Sequence, residues 1–157
     1  MNAIRIHDDL GQLLDRLQSP LLAATRCWVG WQFLKAGWLK LSQWDSTVEL
    51  FRYEYQVPLL TPTVAAVTGT LGELVFPILL ILGLFARAGA LGLFAVNLLA
   101  VVSYWHVLGQ EGFEAAAGQH LLWGFMLLVL TVCGAGNFSL DRLLERAEAG
   151  RKPRAAN

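Results

Sequence analysis

Between Pro62 and Ala86 the chain carries a single charged residue, Glu73. About 20 mostly apolar residues are what one α-helix needs to cross the hydrocarbon core of a bilayer. The middle of this stretch, VFPILLILGLF, is continuously apolar. A strand of a membrane barrel would alternate lipid-facing and lumen-facing residues, so a helix is expected here.

Three more stretches fit the same length: Pro20 to Leu41, interrupted by Arg26 and Lys35; Ala88 to His106, with Asn97 inside it; and Gln119 to Ala135. The composition agrees. Of 157 residues, 55% are hydrophobic and only 15% charged, against about 25% charged in an ordinary soluble domain. Too few polar side chains remain to coat a soluble globule, and too many aliphatic ones are present for a disordered chain. The predicted fold is all-α: an integral membrane four-helix bundle, with short interfacial helices before the first span and in the first outer loop. Residues 1–19 form an amphipathic arm, 20–136 the membrane domain and 137–157 a basic tail. The 12 basic and 12 acidic residues cancel, so no basic field suits nucleic acid.

Orientation follows the basic residues, which concentrate on the cytoplasmic side of membrane proteins. Arg5, Arg16, Arg87, Arg142, Arg146, Arg151, Lys152 and Arg154 fall on one side of a four-span arrangement. Both termini are therefore expected in the cytoplasm of a bacterial-type inner membrane. Asp8 and Asp9 spoil the n-region of a cleaved signal peptide. In the arm, Leu10, Leu13, Leu14 and Leu17 share one helical face, as in a helix lying on a membrane surface. In the first outer loop Ser46 and Glu49 form a capping-box pattern. There Trp44, Val48, Phe51 and Tyr55 recur at helical spacing, with Pro58 and Pro62 ending the segment.

Ionisable groups inside a bilayer are costly and mark function by default. Arg26, Gly30, Phe33, Gly37 and Lys40 share one face of the first span, where the glycines allow close helix approach. Glu73 lies about 20 Å from the cytoplasmic end and Arg26 about 10 Å, at 1.5 Å per residue. Pairing of Arg26 with Glu73 is the expectation, as a structural clasp or in proton handling. Asn97 is expected to bond between helices. His106 and His120 lie at the outer ends of successive antiparallel spans and could meet there. Two histidines fall short of the three or four ligands of a zinc or copper site, so they give only a weak metal candidate. With Glu73 below and Glu54 or Tyr55 above, a small polar pocket opening outward is expected. Cys27 and Cys133 form no C-x-x-C motif, which argues against dithiol chemistry within the chain.

The stretch RCWVGWQFLKAGWLKL, with Arg26, Gly30, Phe33, Gly37 and Lys40, resembles the opening of DoxX-type membrane proteins. The resemblance continues at Glu73, Pro77, Gly83 and Arg87. It ends at GAGNFSLDRLL, with Gly134, Gly136, Ser139, Leu140 and Asp141. It implies a four-helix inner-membrane bundle. Name-giving members of that family resemble subunits of a thiosulfate:quinone oxidoreductase. EYQVP (Glu54 to Pro58) and HLLW (His120 to Trp123) look most like a subgroup accompanying biosynthesis of copper-handling peptides. Two readings stay open. In the first, the chain is an accessory subunit of a redox-linked membrane complex handling a quinone or sulfur compound, so at most part of an enzyme. Lys40, Glu73 and His120 then serve a ligand walled by Phe33, Trp123 and Tyr55. In the second, it is a non-enzymatic partner in copper handling or metallophore export, or a scaffold docking a soluble redox or metal-handling protein. Quinone and copper are the cofactors these readings bring.

Overall fold

The computed structural model describes residues 3–151, all of whose regular elements are helices. In chain order they are α1 (Ala3–Ser42), α2 (Trp44–Tyr53), α3 (Pro62–Leu82), α4 (Ala86–Ser103), α5 (Trp105–Leu108), α6 (Glu114–Cys133) and α7 (Leu140–Arg151). Among the described residues three helices, α3, α4 and α6, are long and apolar enough to cross a membrane. The fourth expected span, the C-terminal half of α1, falls short of that class because Arg26, Gln32 and Lys35 dilute its apolar content. It nevertheless packs against both α3 and α6, and with α3 on α4 and α4 on α6 the four helices close into a ring. Val29, Phe33, Leu80, Leu93, Leu127 and Leu130 fill its centre.

The glycine stripe of α1 sets the register of this ring. A Cβ on Gly37 would come within 2.9 Å of the Glu73 backbone, and one on Gly30 would press on Ile81 and the Pro77 carbonyl. Small residues let helix backbones approach this closely where no hydrophobic driving force acts between spans. The contacts run antiparallel, Gly37 at Glu73, Gly30 at Pro77 and Ile81, and Arg26 at Gly83.

Two local expectations change. The arm is no separate helix, because α1 continues through Pro20, losing only the one backbone bond a proline cannot donate. Its Leu10, Leu13, Leu14 and Leu17 are each more than half exposed. The capping box at Ser46 and Glu49 does not form. Helix α2 starts at Trp44 with Gln43 as its N-cap and no side-chain cap, which leaves Ser46 inside the first turn. The chain passes from α1 into α2 almost directly, the Gln43 N–H bonding the Leu39 carbonyl.

The opposite end of the ring is tied by α7. Asp141 accepts from the Phe85 N–H at 2.7 Å and the Ala86 N–H at 3.0 Å, so a carboxylate satisfies the open N-terminus of α4. The Asp141 N–H donates to the Gly83 carbonyl. Gly83 ends α3 in the left-handed region at φ 67°, where a side chain would collide with the Arg26 guanidinium and Ser139. The exposed face of α7 carries Leu143 and Leu144. Of the basic tail, Lys152 and Arg154 lie outside the described residues.

Candidate functional site

At the end of the ring where α2 lies, a chamber of about 460 Å³ opens between α1, α2, α3 and α6. Phe33 and Lys40 reach it from α1, Glu73 from α3, His120 and Trp123 from α6, and Tyr55 from the segment after α2. The volume lies within the range of about 300–1,000 Å³ usual for small-molecule sites.

Lys40 donates to Glu73 Oε1 at 2.5 Å, the side chains being 17% and 8% exposed. The second carboxylate oxygen, Oε2, is buried and has no partner among the described residues, nor has the Trp123 indole N–H. More than nine in ten buried polar groups in folded proteins are paired, so these two atoms are conspicuous. Thr47 lies over the pair from α2, its hydroxyl donating to the Lys40 carbonyl at 3.0 Å.

His120 is oriented by Asn97. The Asn97 amide nitrogen donates to the His120 carbonyl at 3.0 Å, and its oxygen lies 2.9 Å from His120 Nδ1. Because the amide nitrogen is already committed, the oxygen faces the ring. Nδ1 then carries the proton and Nε2 is left as an acceptor. The imidazole meets Trp123 edge-on at 5.1 Å, and Trp123 meets Phe33 at 5.3 Å. These contacts make a fixed aromatic wall.

Tyr55 stacks between Phe51 and Tyr104, with centroids at 4.8 and 5.1 Å. Burial first, then the nearby negative charges of Glu73, Tyr104 and Glu54, push its phenol up to about 12. At neutral pH Tyr55 is an uncharged donor.

The structure separates Arg26 from Glu73. Arg26 is 4% exposed, and its guanidinium donates to the Ala135 carbonyl at 3.2 Å and to the Phe138 carbonyl. It therefore holds the loop between α6 and α7 at the far end of the bundle. The reason is register. Arg26 lies beside Gly83, ten residues along α3 from Glu73, or about 15 Å at the helical rise, whereas Lys40 projects one turn beyond Gly37 and meets the carboxylate. Glu54 also stands apart from the chamber, exposed and accepting from the Tyr104 hydroxyl at 3.2 Å. His106 is exposed and edge-on to Tyr104, while His120 belongs to the Asn97 and Trp123 cluster. Among the described residues no three His, Cys, Asp or Glu side chains gather as a metal-holding group. Gln32 lines the chamber too. Its signal in the sequence is the same one that marks Asn97, an amide inside an apolar stretch.

The motif residues therefore divide by position. Arg26, Gly83, Ser139 and Asp141 build the closed end, and Gly37, Lys40 and Glu73 build the open one. Together they define a small helical membrane protein with an aromatic-walled, polar-floored chamber at one end. The DoxX family model matches residues 21–106, more than half of the chain, and the chain belongs to the DoxX family. An uncharacterized protein of Haemophilus influenzae is 27% identical over 130 residues, covering 80% of this chain and 83% of that protein. No solved structure matches. The family match contains Lys40, Tyr55, Glu73 and Asn97, while His120 and Trp123 lie beyond it.

Proposed function

We propose that this chain is a four-span protein of the bacterial inner membrane that binds a quinone-type ring in the α1–α2–α3–α6 chamber, as an accessory subunit of a redox-linked complex. The observation that carries this reading is one aromatic-walled cavity lined by both Glu73 and Trp123, each of which has a buried side-chain atom without a partner, the acceptor Oε2 and the donor Nε1–H. A ligand satisfying both has a carbonyl at one point and a hydroxyl at another. A quinone accepts from the Trp123 N–H, and the quinol form donates to Glu73. Reduction of a quinone takes two electrons and two protons. In this reading a partner redox protein supplies the electrons, and Glu73 exchanges protons at the ring with Lys40 balancing its charge. His120 Nε2 offers a second acceptor.

The α1 segment supplies the fourth span. Its buried Arg26 donates through both terminal nitrogens to loop carbonyls, and the exposed Lys35 has a long stem that lets its charge snorkel. The α7 end gathers Arg5, Arg16, Arg87, Arg142 and Arg146 and faces the cytoplasm, so the chamber faces the opposite compartment.

The test is binding of decylubiquinone to the protein in lipid nanodiscs, followed by quenching of tryptophan fluorescence. Glu73→Gln and Trp123→Phe are expected to weaken binding about tenfold each, the size of one lost buried hydrogen bond of about 1.4 kcal/mol. Arg26→Lys, at the far end, should leave it unchanged. A wild-type protein that shows no saturable quenching overturns the reading.

A further inference from the structure

On the other side of Glu73 lies a second chamber, of about 130 Å³, between α3 and α4. It shares Lys40, Tyr55, Glu73 and Ala100 with the larger one, so these four residues form a partition between the two. The remaining lining is almost wholly apolar, with Phe51, Val57, Ala65, Gly69, Val96 and Leu99 prominent. Its mouth is lateral. Leu60 is 42% and Leu99 49% exposed, and Thr68 is exposed beside them on α3. Helices α3 and α4 are both apolar enough to cross a membrane, so this mouth meets hydrocarbon rather than water. The segment between α2 and α3 roofs it, held down by the Gln56 N–H donating to the Ser103 carbonyl at 3.0 Å. The wider chamber instead has exposed polar residues at its rim, Gln43 and Ser46.

We infer that the α3–α4 chamber is a lipid-side port that holds the apolar tail of the ligand whose ring occupies the larger chamber, an inference that rests on the ring-binding reading above. Three features select a tail as the occupant. Beyond the partition the lining is apolar except for Thr68 and Ser103, whose hydroxyls already donate to the Val64 and Leu99 carbonyls of their own helices. A cavity of about 150 Å³ lined by aliphatic and aromatic side chains holds one benzene, so this smaller one holds a few methylenes of a chain and no second headgroup. The opening lies where a tail would pass into the hydrocarbon. The ligand class is thus an amphiphile with a polar ring and an unbranched or isoprenoid tail, the tail leaving sideways between α3 and α4. Gly69 keeps the passage open, since a Cβ there would already touch Phe51 at 3.4 Å and a larger group would fill the space.

Two probes are compared in nanodiscs at fixed lipid concentration by tryptophan quenching: decylubiquinone, and the same ring without its tail. Gly69→Phe is expected to lower affinity for the tailed probe at least tenfold while leaving the tailless ring unchanged. Leu99→Trp, at the exposed mouth, is expected to act in the same direction and serves if Gly69→Phe does not fold. Thermal unfolding in detergent establishes which variants are folded. A folded port variant that binds the tailed probe as tightly as wild type overturns the port. So does one that loses both probes equally, since the chambers would then not be separable. Wild type binding neither probe overturns the ring-binding reading itself, a result distinct from either port failure.

Discussion

Lys40 Nζ and Glu73 Oε1 lie 2.5 Å apart and join the last turns of α1 to the middle of α3 at the partition between two chambers. The pair exists because Gly37, one turn earlier, brings α1 against the Glu73 backbone. Removing one member of a buried ion pair strands the other charge and costs roughly 3–5 kcal/mol, whereas replacing both with apolar groups is often neutral. Lys40→Met alone is therefore expected to lower thermal stability in detergent markedly. Lys40→Met combined with Glu73→Leu should recover most of that loss and still bind decylubiquinone at least about tenfold more weakly than wild type. Equal stability of the single and double variants would show that the pair does not join the helices.

The close contact at Gly37 makes its own prediction. Alanine there must displace the α3 backbone, and overpacking of this kind typically costs about 1–3 kcal/mol. Gly118, in α6, has nothing within 4 Å of an added Cβ, so Gly118→Ala should be neutral or slightly stabilising, by up to about 1 kcal/mol from helix propensity. Thermal melts of the two variants side by side measure the difference.

Arg26 should behave as a fastener of the α7 end. Arg26→Met leaves the Ala135 and Phe138 carbonyls without their donor. Hydrogen exchange is then expected to rise by tenfold or more over residues 134–141, with little change at residues 40–55. A change centred on the Lys40 and Glu73 region instead would place Arg26 functionally with Glu73.

Tyr55 gives a pH signature. Its phenol is pushed from the ordinary 10.0 up to about 12 by burial and neighbouring negative charge. The folded state thus holds this proton more tightly than the unfolded chain. The contribution is fully present below pH 10 and is lost as pH rises through about 12. Alkaline titration of phenolate absorbance should show Tyr55 as the latest step among the three tyrosines, and Tyr55→Phe should abolish that step.

The apolar runs, the helical class and the inward face of α1 were legible because each rests on local chemistry. An uninterrupted apolar stretch has few homes but a helix in lipid, and a stripe spaced at three and four residues must share one face. The sequence marked Lys40, Glu73 and His120 as polar groups of a candidate site and Phe33 and Trp123 as its aromatic walls, and the structure lines one chamber with all five. The amide of Asn97 was legible as an interhelical bond, though not its partner.

Which charge met which was not legible. Arg26 and Lys40 sit on the same face of α1, and both are cations in want of a partner. Only the antiparallel register with α3, set by glycine contacts distant in sequence, gave Glu73 to Lys40 and sent Arg26 to the carbonyls after α6. The second chamber was equally hidden, since it exists only as space between α3 and α4 beneath a loop. Sequence alone determined that this chain forms apolar helices with a few expensive polar groups facing inward, because burial and periodicity are properties of single segments. Tertiary structure alone decided how those groups pair and where cavities remain, because both depend on the relative sliding of helices, and no single segment encodes that.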